Sequence, residues 1–161
     1  MAEHTRVMLL SIRPSHADNI LAGLKRVELR RMKPHISSGQ PIALYASSPT
    51  RAIVGVGRAT TVRVATVSDL KEAHLAESAV SVSEFDAYFK GSDRAVAIGL
   101  TDFFRLESTV TLEALRSAGL APAQSWRYIT PDRFLALIGA DGDRARFECL
   151  TFRGTATMDR G

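Results

Sequence analysis

Apolar positions along this chain fall into distinct spacings, and each predicts a different element. Val7-Met8-Leu9-Leu10-Ser11-Ile12 is an almost continuous apolar run of strand length, the pattern of a strand buried on both faces, and Pro14 ends it. Ser15 is a good N-cap, Ile20, Leu21 and Leu24 give the following helix one apolar face, and Gly23 stops it. Val27, Leu29 and Arg31 then alternate with Arg26, Glu28 and Arg30, a period of two that predicts a strand. Lys33-Pro34 and Ser37-Ser38-Gly39-Gln40 form a loop, and Pro41–Ala46 is the next strand, with Tyr45 at its end. Ser47-Ser48-Pro49-Thr50 makes a turn of small hydroxylated residues. Ala52–Val64 is rich in Val, Thr and small residues, and Gly55 and Gly57 predict a bulge or barrel corner within it.

The second half continues in the same alternation. Ser68 caps a helix over Asp69–Glu77. Ser81-Val82-Ser83-Glu84 has capping-box spacing and opens a helix to about Phe89, closed by Gly91, in which Phe85, Tyr88 and Phe89 are spaced like a core stripe. Arg94–Leu106 is a strand region and Leu112–Ala118 is helical; Ala123–Tyr128 holds the only tryptophan, Trp126. Thr130-Pro131-Asp132 begins a helix with a cap and an N1 proline, running to about Ile138. Gly139–Asp143 reads as a turn, Arg144–Arg153 as a last strand, and Gly154–Gly161 as a loose tail. Several strands interrupted by short helices, with corner glycines, predict an α+β mixed barrel. At 161 residues, without repeat or linker, one domain is expected over residues 1–161, its core at about 7–152.

Composition changes this picture in one respect. Hydrophobic content of 45% with 24% charged residues is ordinary for a globular protein, but the net charge of +4 is unevenly placed. Residues 1–35 hold seven Lys/Arg against three acids, which accounts for the whole excess. A basic patch of this kind suits an anionic partner such as nucleic acid, or serves solubility. The single cysteine, Cys149, allows no intrachain disulfide, and within a strand at Ala145–Phe152 it is expected to be a buried structural thiol. Four scattered histidines without paired spacing predict no metal site, and no cofactor fingerprint, P-loop or nucleophile elbow is found. No apolar run has membrane-spanning length and Met1–Arg6 lacks a signal pattern, so the expected location is cytoplasmic.

The candidate chemistry gathers at Gly23-Leu24-Lys25-Arg26-Val27-Glu28-Leu29-Arg30-Arg31. If Val27 and Leu29 face a core, Glu28 and Arg30 stand together on the opposite face, with Lys25 at the mouth of the strand. Such a cluster suits phosphate binding or proton transfer; a solvated charged strand face is the alternative. Arg13 and His16 lie at the first strand-to-helix junction, where free backbone N–H groups also favour an anion.

The spacing Gly23-x-Lys25-x-x-Glu28-x-Arg30, after the helical Ala17–Ala22, resembles the signature of ASCH domains. Tyr45-Ala46-Ser47-Ser48-Pro49 and Phe85-Asp86-Ala87-Tyr88-Phe89-Lys90-Gly91 resemble a subgroup of predicted regulators, and the likeness covers roughly residues 7–130. The resemblance implies a PUA-like β-barrel associated with RNA or modified nucleotides; the residues themselves predict no metal, no other cofactor and no membrane partner. It further implies a cleft lined by Lys25, Glu28 and Arg30 beside the first helix. Arg13, Arg26, Arg30, Ser47 and Ser48 are the expected binding groups, and Tyr45 or Trp126 is placed to stack on an unpaired base.

Two activities follow from that resemblance. In a metal-independent ribonuclease, Glu28 would act on the 2′-hydroxyl and Lys25 or Arg30 on the phosphorane charge, with Tyr45 as a further catalytic candidate. Two adjacent cations favour ionised Glu28, which makes it a better orienter of Arg30 than a base. In an amidohydrolase acting on acetylated cytidine, Lys25 matches the family lysine and the family glutamate falls near Glu77 or Ser78. Glu28, however, stands where the nucleophilic threonine belongs. Recognition of RNA or a modified base without chemistry is the third reading.

Overall fold

The computed structural model describes residues 6–153. The chain runs β1 (Val7–Ile12), α1 (Pro14–Leu21), β2 (Val27–Arg30), β3 (Pro41–Ala46), β4 (Ala52–Thr66), α2 (Val67–Ser78), α3 (Val82–Phe89), β5 (Arg94–Thr111), α4 (Leu112–Ser117), β6 (Trp126–Ile129), α5 (Pro131–Leu137) and α6 (Asp141–Arg153). The six strands form one mixed sheet in the order β2-β5-β4-β3-β1-β6. Only β1 and β3 pair in parallel, joined by a crossover through α1 and β2; the other ladders are antiparallel. The α+β expectation holds, but the sheet is not closed into a barrel: β2 and β6 are its two edges.

Side-chain alternation divides the apolar residues into layers. Met8, Leu10, Ile12, Ile42, Leu44, Val54 and Ile98 face one side and receive Ala17 and Ile20 of α1. Val7, Leu9, Ala43, Tyr45, Ile53 and Val56 face the other and are covered by Leu115, Phe134, Phe147 and Leu150 of the last three helices. At the β2 end, Val27, Leu29, Ala95 and Ala97 pack against Leu70, Phe85 and Phe89 of α2 and α3. β1 supplies both main layers, which is why its sequence is apolar without alternation. Register shifts between Ile53 and Gly55 and between Val56 and Arg58 fall at the two glycines that predicted them.

Four helices carry the expected kind of hydroxyl cap: Thr66, Ser81, Thr111 and Thr130 each accept from a backbone N–H three residues on. Two starts differ from expectation. α1 begins at Pro14 with Arg13 as its N-cap, because the proline supplies the N1 φ angle without needing a donor; α2 begins at Val67 on the Thr66 cap rather than at Ser68.

The last element is a correction. Residues 144–153 belong to helix α6, not to a strand. Phe147 and Leu150 are three apart and share one helical face with Asp143, and Phe147 meets the Phe134 ring at 4.7 Å. The buried Asp143 carboxylate accepts from the backbone N–H groups of Glu107 and Ser108, at 3.0 and 3.2 Å, and so ties the start of α6 to β5. Cys149 falls off that face and is exposed, not buried. The tail expected to be loose, 154–161, lies outside the described residues.

Candidate functional site

Glu28 and Arg30 pair with Ile98 and Val96 across the β2–β5 ladder, so they share the face that α1 covers, while Val27 and Leu29 are buried on the other. Glu28 is 7% exposed and Lys25 3%. The Lys25 ammonium donates to the Ser78 carbonyl at 2.6 Å and lies 3.2 Å from Glu28 Oε2. Ser78 ends α2, and Ala79 follows in the left-handed region at φ 53, a conformation that costs an L residue roughly 1–2 kcal/mol. The turn leaves a helix-terminal carbonyl on the lysine, where the helix dipole favours a cation.

Arg30 completes the triad. Its Nε donates to Glu28 Oε1 at 2.9 Å, and Nη2 donates to the Ser11 carbonyl at 3.0 Å. β2 and β1 are four places apart in the sheet order, so this bond spans a curled sheet rather than neighbouring strands. Glu28 therefore spends its two oxygens on two cations and fixes the arginine. Two of the five guanidinium N–H groups are engaged among the described residues, and the side chain lines the cleft.

A cleft of about 510 Å³ opens beside this triad. Ser11, Ile12, Arg13 and His16 form one wall, Lys25, Glu28 and Arg30 the floor, and Glu84, Phe85, Tyr88 and Phe89 the far wall. The His16 pKa is lowered, first by burial and then by Lys25, with Glu28 and Glu84 opposing; its Nδ1 is buried without a hydrogen-bond partner. An imidazole whose neutral form is favoured by burial thus lines the same cleft as the fixed Arg30 guanidinium. Tyr88 is 39% exposed; the Arg31 guanidinium lies over its ring at 4.8 Å, and the Phe89 ring meets it edge-on at 4.7 Å.

The structure brings Arg13, Lys25, Glu28 and Arg30 together. It places the other expected residues elsewhere. Tyr45 is 5% exposed and packs in the layer with Val7, Ile53 and Leu115, outside the cleft lining. Ser47 is one step from the cleft, its N–H bonded to the Ile12 carbonyl at 2.9 Å; Ser48 is exposed in the turn beyond it. Arg26 is exposed, and its backbone bridges the Glu77 carbonyl and the Leu100 N–H. Trp126 pairs with Leu10 in the β1–β6 ladder and packs half-buried against the inner layer.

Tyr88 was legible only as part of a core stripe. Phe85 and Phe89, four apart, are the buried pair, and Tyr88 falls beside them on the rim; its polar tip was the available signal. Among the described residues no group of three or more His, Cys, Asp or Glu could hold a metal ion, and no helix is long and apolar enough to cross a membrane.

Residues 10–104 match the model of a family described as ASCH domain. The chain is 26% identical over 132 residues to a protein of Zymomonas mobilis named ASCH domain-containing ribonuclease, covering 81% of this chain and 88% of that one. The crystal structure of ASCH from Zymomonas mobilis superposes with a TM-score of 0.78 at 25% identity, covering 82% of this chain and 93% of that one. Large ribosomal subunit protein uL22 of two Ureaplasma parvum strains is 26% identical over 96 residues, 60% of this chain; the chain spans 31% of the length of those relatives.

Proposed function

The chain belongs to the ASCH domain family, and from that premise we propose that its cleft binds single-stranded RNA and cleaves it with side chains alone. The observation that carries this reading is Arg30, a guanidinium locked by Glu28 and the Ser11 carbonyl in the lining of the cleft. A cation already oriented loses little freedom on meeting a phosphate. Arg13, exposed on the same cleft, supplies a second charge, and Tyr88 on the rim offers a face for an unpaired base. The name of the Zymomonas relative points the same way.

The cleavage step follows from the groups present. Neutral His16 takes the proton of a 2′-hydroxyl as its oxygen bonds to phosphorus. Arg30 and Arg13 balance the charge that grows on the non-bridging oxygens. The P–O5′ bond breaks, the 5′-oxygen takes a proton from water, the hydroxide so formed takes the proton held by His16, and a 2′,3′-cyclic phosphate remains. Glu28 orients Arg30, and Lys25, with its ammonium bonded to Ser78 and Glu28, holds Glu28 in place. The same engagement of Lys25 leaves the amidohydrolase reading with less support, since that chemistry needs a lysine free to act.

The test uses a labelled short single-stranded RNA. Affinity should fall with salt, with a log–log slope of roughly −2 to −3. Tyr88→Ala and Arg13→Ala should weaken binding, and His16→Ala should bind normally while cleavage drops by about 100-fold or more. Absence of binding at low salt removes the reading. Binding without product from the native chain leaves recognition alone, of RNA or of a modified base.

A further inference from the structure

At the opposite end of β1 lies a second pocket, of about 380 Å³, between the start of that strand and the segment 33–40. Arg6, Lys33 and His35 line it, together with Ser37 and Gln40. Among the described residues no acid is in its lining and none of the three basic side chains meets a carboxylate. Elsewhere the chain does pair its cations: Arg58 with Asp102, Lys71 with Asp86, Arg105 with Asp18. Three basic groups kept together without an acid make a region of positive potential focused by concave walls.

The pocket is built, not left over. Gln40 is 5% exposed; its Oε1 accepts from the Ser37 N–H at 3.1 Å and its Nε2 donates to the Arg6 carbonyl at 3.4 Å. The same residue's N–H donates to the Ser37 carbonyl, and its carbonyl accepts from Ala59. These bonds fasten the 33–40 segment to the start of β1 and to β4. Beneath Arg6, whose guanidinium lies 4.5 Å from the Tyr128 ring centre, the Tyr128 hydroxyl is buried without a hydrogen-bond partner in good geometry. Burial pushes that phenol up, opposed by the nearby His35 backbone and by Arg6.

We propose that Arg6, Lys33 and His35 form a second phosphate-binding subsite, separate from the Arg30 cleft. Both β1 and the segment after β2 run from one pocket to the other. Arg6 and Ser11 are five residues apart on a strand, or about 16 Å, a span covered by a few nucleotides of extended single strand. A strand whose reacting phosphate sits at Arg30 can thus place a later phosphate at Lys33. That source of the phosphate rests on the RNA reading of the cleft; a free phosphate ion at the subsite does not.

The experiment keeps the two sources apart. With the full native chain, inorganic phosphate is titrated while backbone amide NMR signals are followed. Saturable shifts at Lys33–Ser37, lost in Lys33→Ala combined with His35→Ala, are expected. All three basic side chains are exposed, so these changes leave the core intact. In a second arm, short and longer single-stranded oligouridylates are compared. The longer one should bind at least tenfold more tightly, and the double variant should remove that gain, leave the short one unaffected and reduce the salt slope by about 0.7, one phosphate contact. Phosphate shifts without a length-dependent gain assign the subsite to a free phosphate ion. If phosphate produces no saturable shift and the double variant binds the longer strand like the native chain, the proposal is overturned, whether or not the Arg30 cleft itself binds RNA.

Discussion

Glu28→Gln probes the triad most directly. The carboxylate faces Lys25 at 3.2 Å and Arg30 at 2.9 Å, and it is 7% exposed. At an effective dielectric of 20, each such pair represents roughly 5 kcal/mol of gross attraction, most of it offset by desolvation. Glutamine preserves the volume and one acceptor oxygen but removes the charge. It leaves Lys25, 3% exposed, with the Ser78 carbonyl as its remaining partner, and no anion between two cations. Breaking one side of a buried ion pair costs about 3–5 kcal/mol. For a chain of this size that corresponds to a fall in Tm of about 6–20 °C. Urea unfolding, followed by circular dichroism, should show a lower midpoint at an unchanged m-value. Adding Lys25→Met to Glu28→Gln should recover at least half of the loss, because the buried ammonium then disappears too. A loss below about 1 kcal/mol, the range of exposed pairs, would refute the reasoning and make the triad a solvated strand face.

His16 gives a pH dependence with a definite sign. Its pKa is lowered from the ordinary 6.5, so the unfolded chain binds the proton more readily, and stability should decline as pH falls through about 6.5 and below. Comparing urea midpoints of the native chain and His16→Gln between pH 7.5 and 5 checks this: the native midpoint should fall more steeply. Cys149 is exposed on α6, so it should react with a thiol reagent in the folded state, and Cys149→Ser should change stability by no more than about 0.5 kcal/mol; a protected thiol would place the helix face wrongly.

The sequence by itself determined the elements whose signals are local. The apolar run of β1, the alternation in β2, the hydroxyl caps of α3 and α5 and the bulge glycines of β4 all depend on neighbours within a few residues. It also determined that Glu28 and Arg30 share a face, since a strand period of two leaves no other choice. What needed the tertiary structure was everything that two readings of one segment satisfy equally. Residues 144–153 fit a period of two as well as a helical stripe, and the Phe134 ring and the backbone of β5 chose the helix. Phe85, Tyr88 and Phe89 fit a core stripe together, until packing on β2 and β5 buried two and left Tyr88 on the cleft. Tyr45 ends its strand as expected, yet only its packing with Val7, Ile53 and Leu115 shows that its ring is core and not cleft. Lys25 is the plainest case. Its charge suggested a ligand-binding group, and the partner that holds it, the Ser78 carbonyl, lies 53 residues away at a helix end. Spacing in sequence carries local geometry, whereas the burial of a charge depends on what the rest of the chain brings to it.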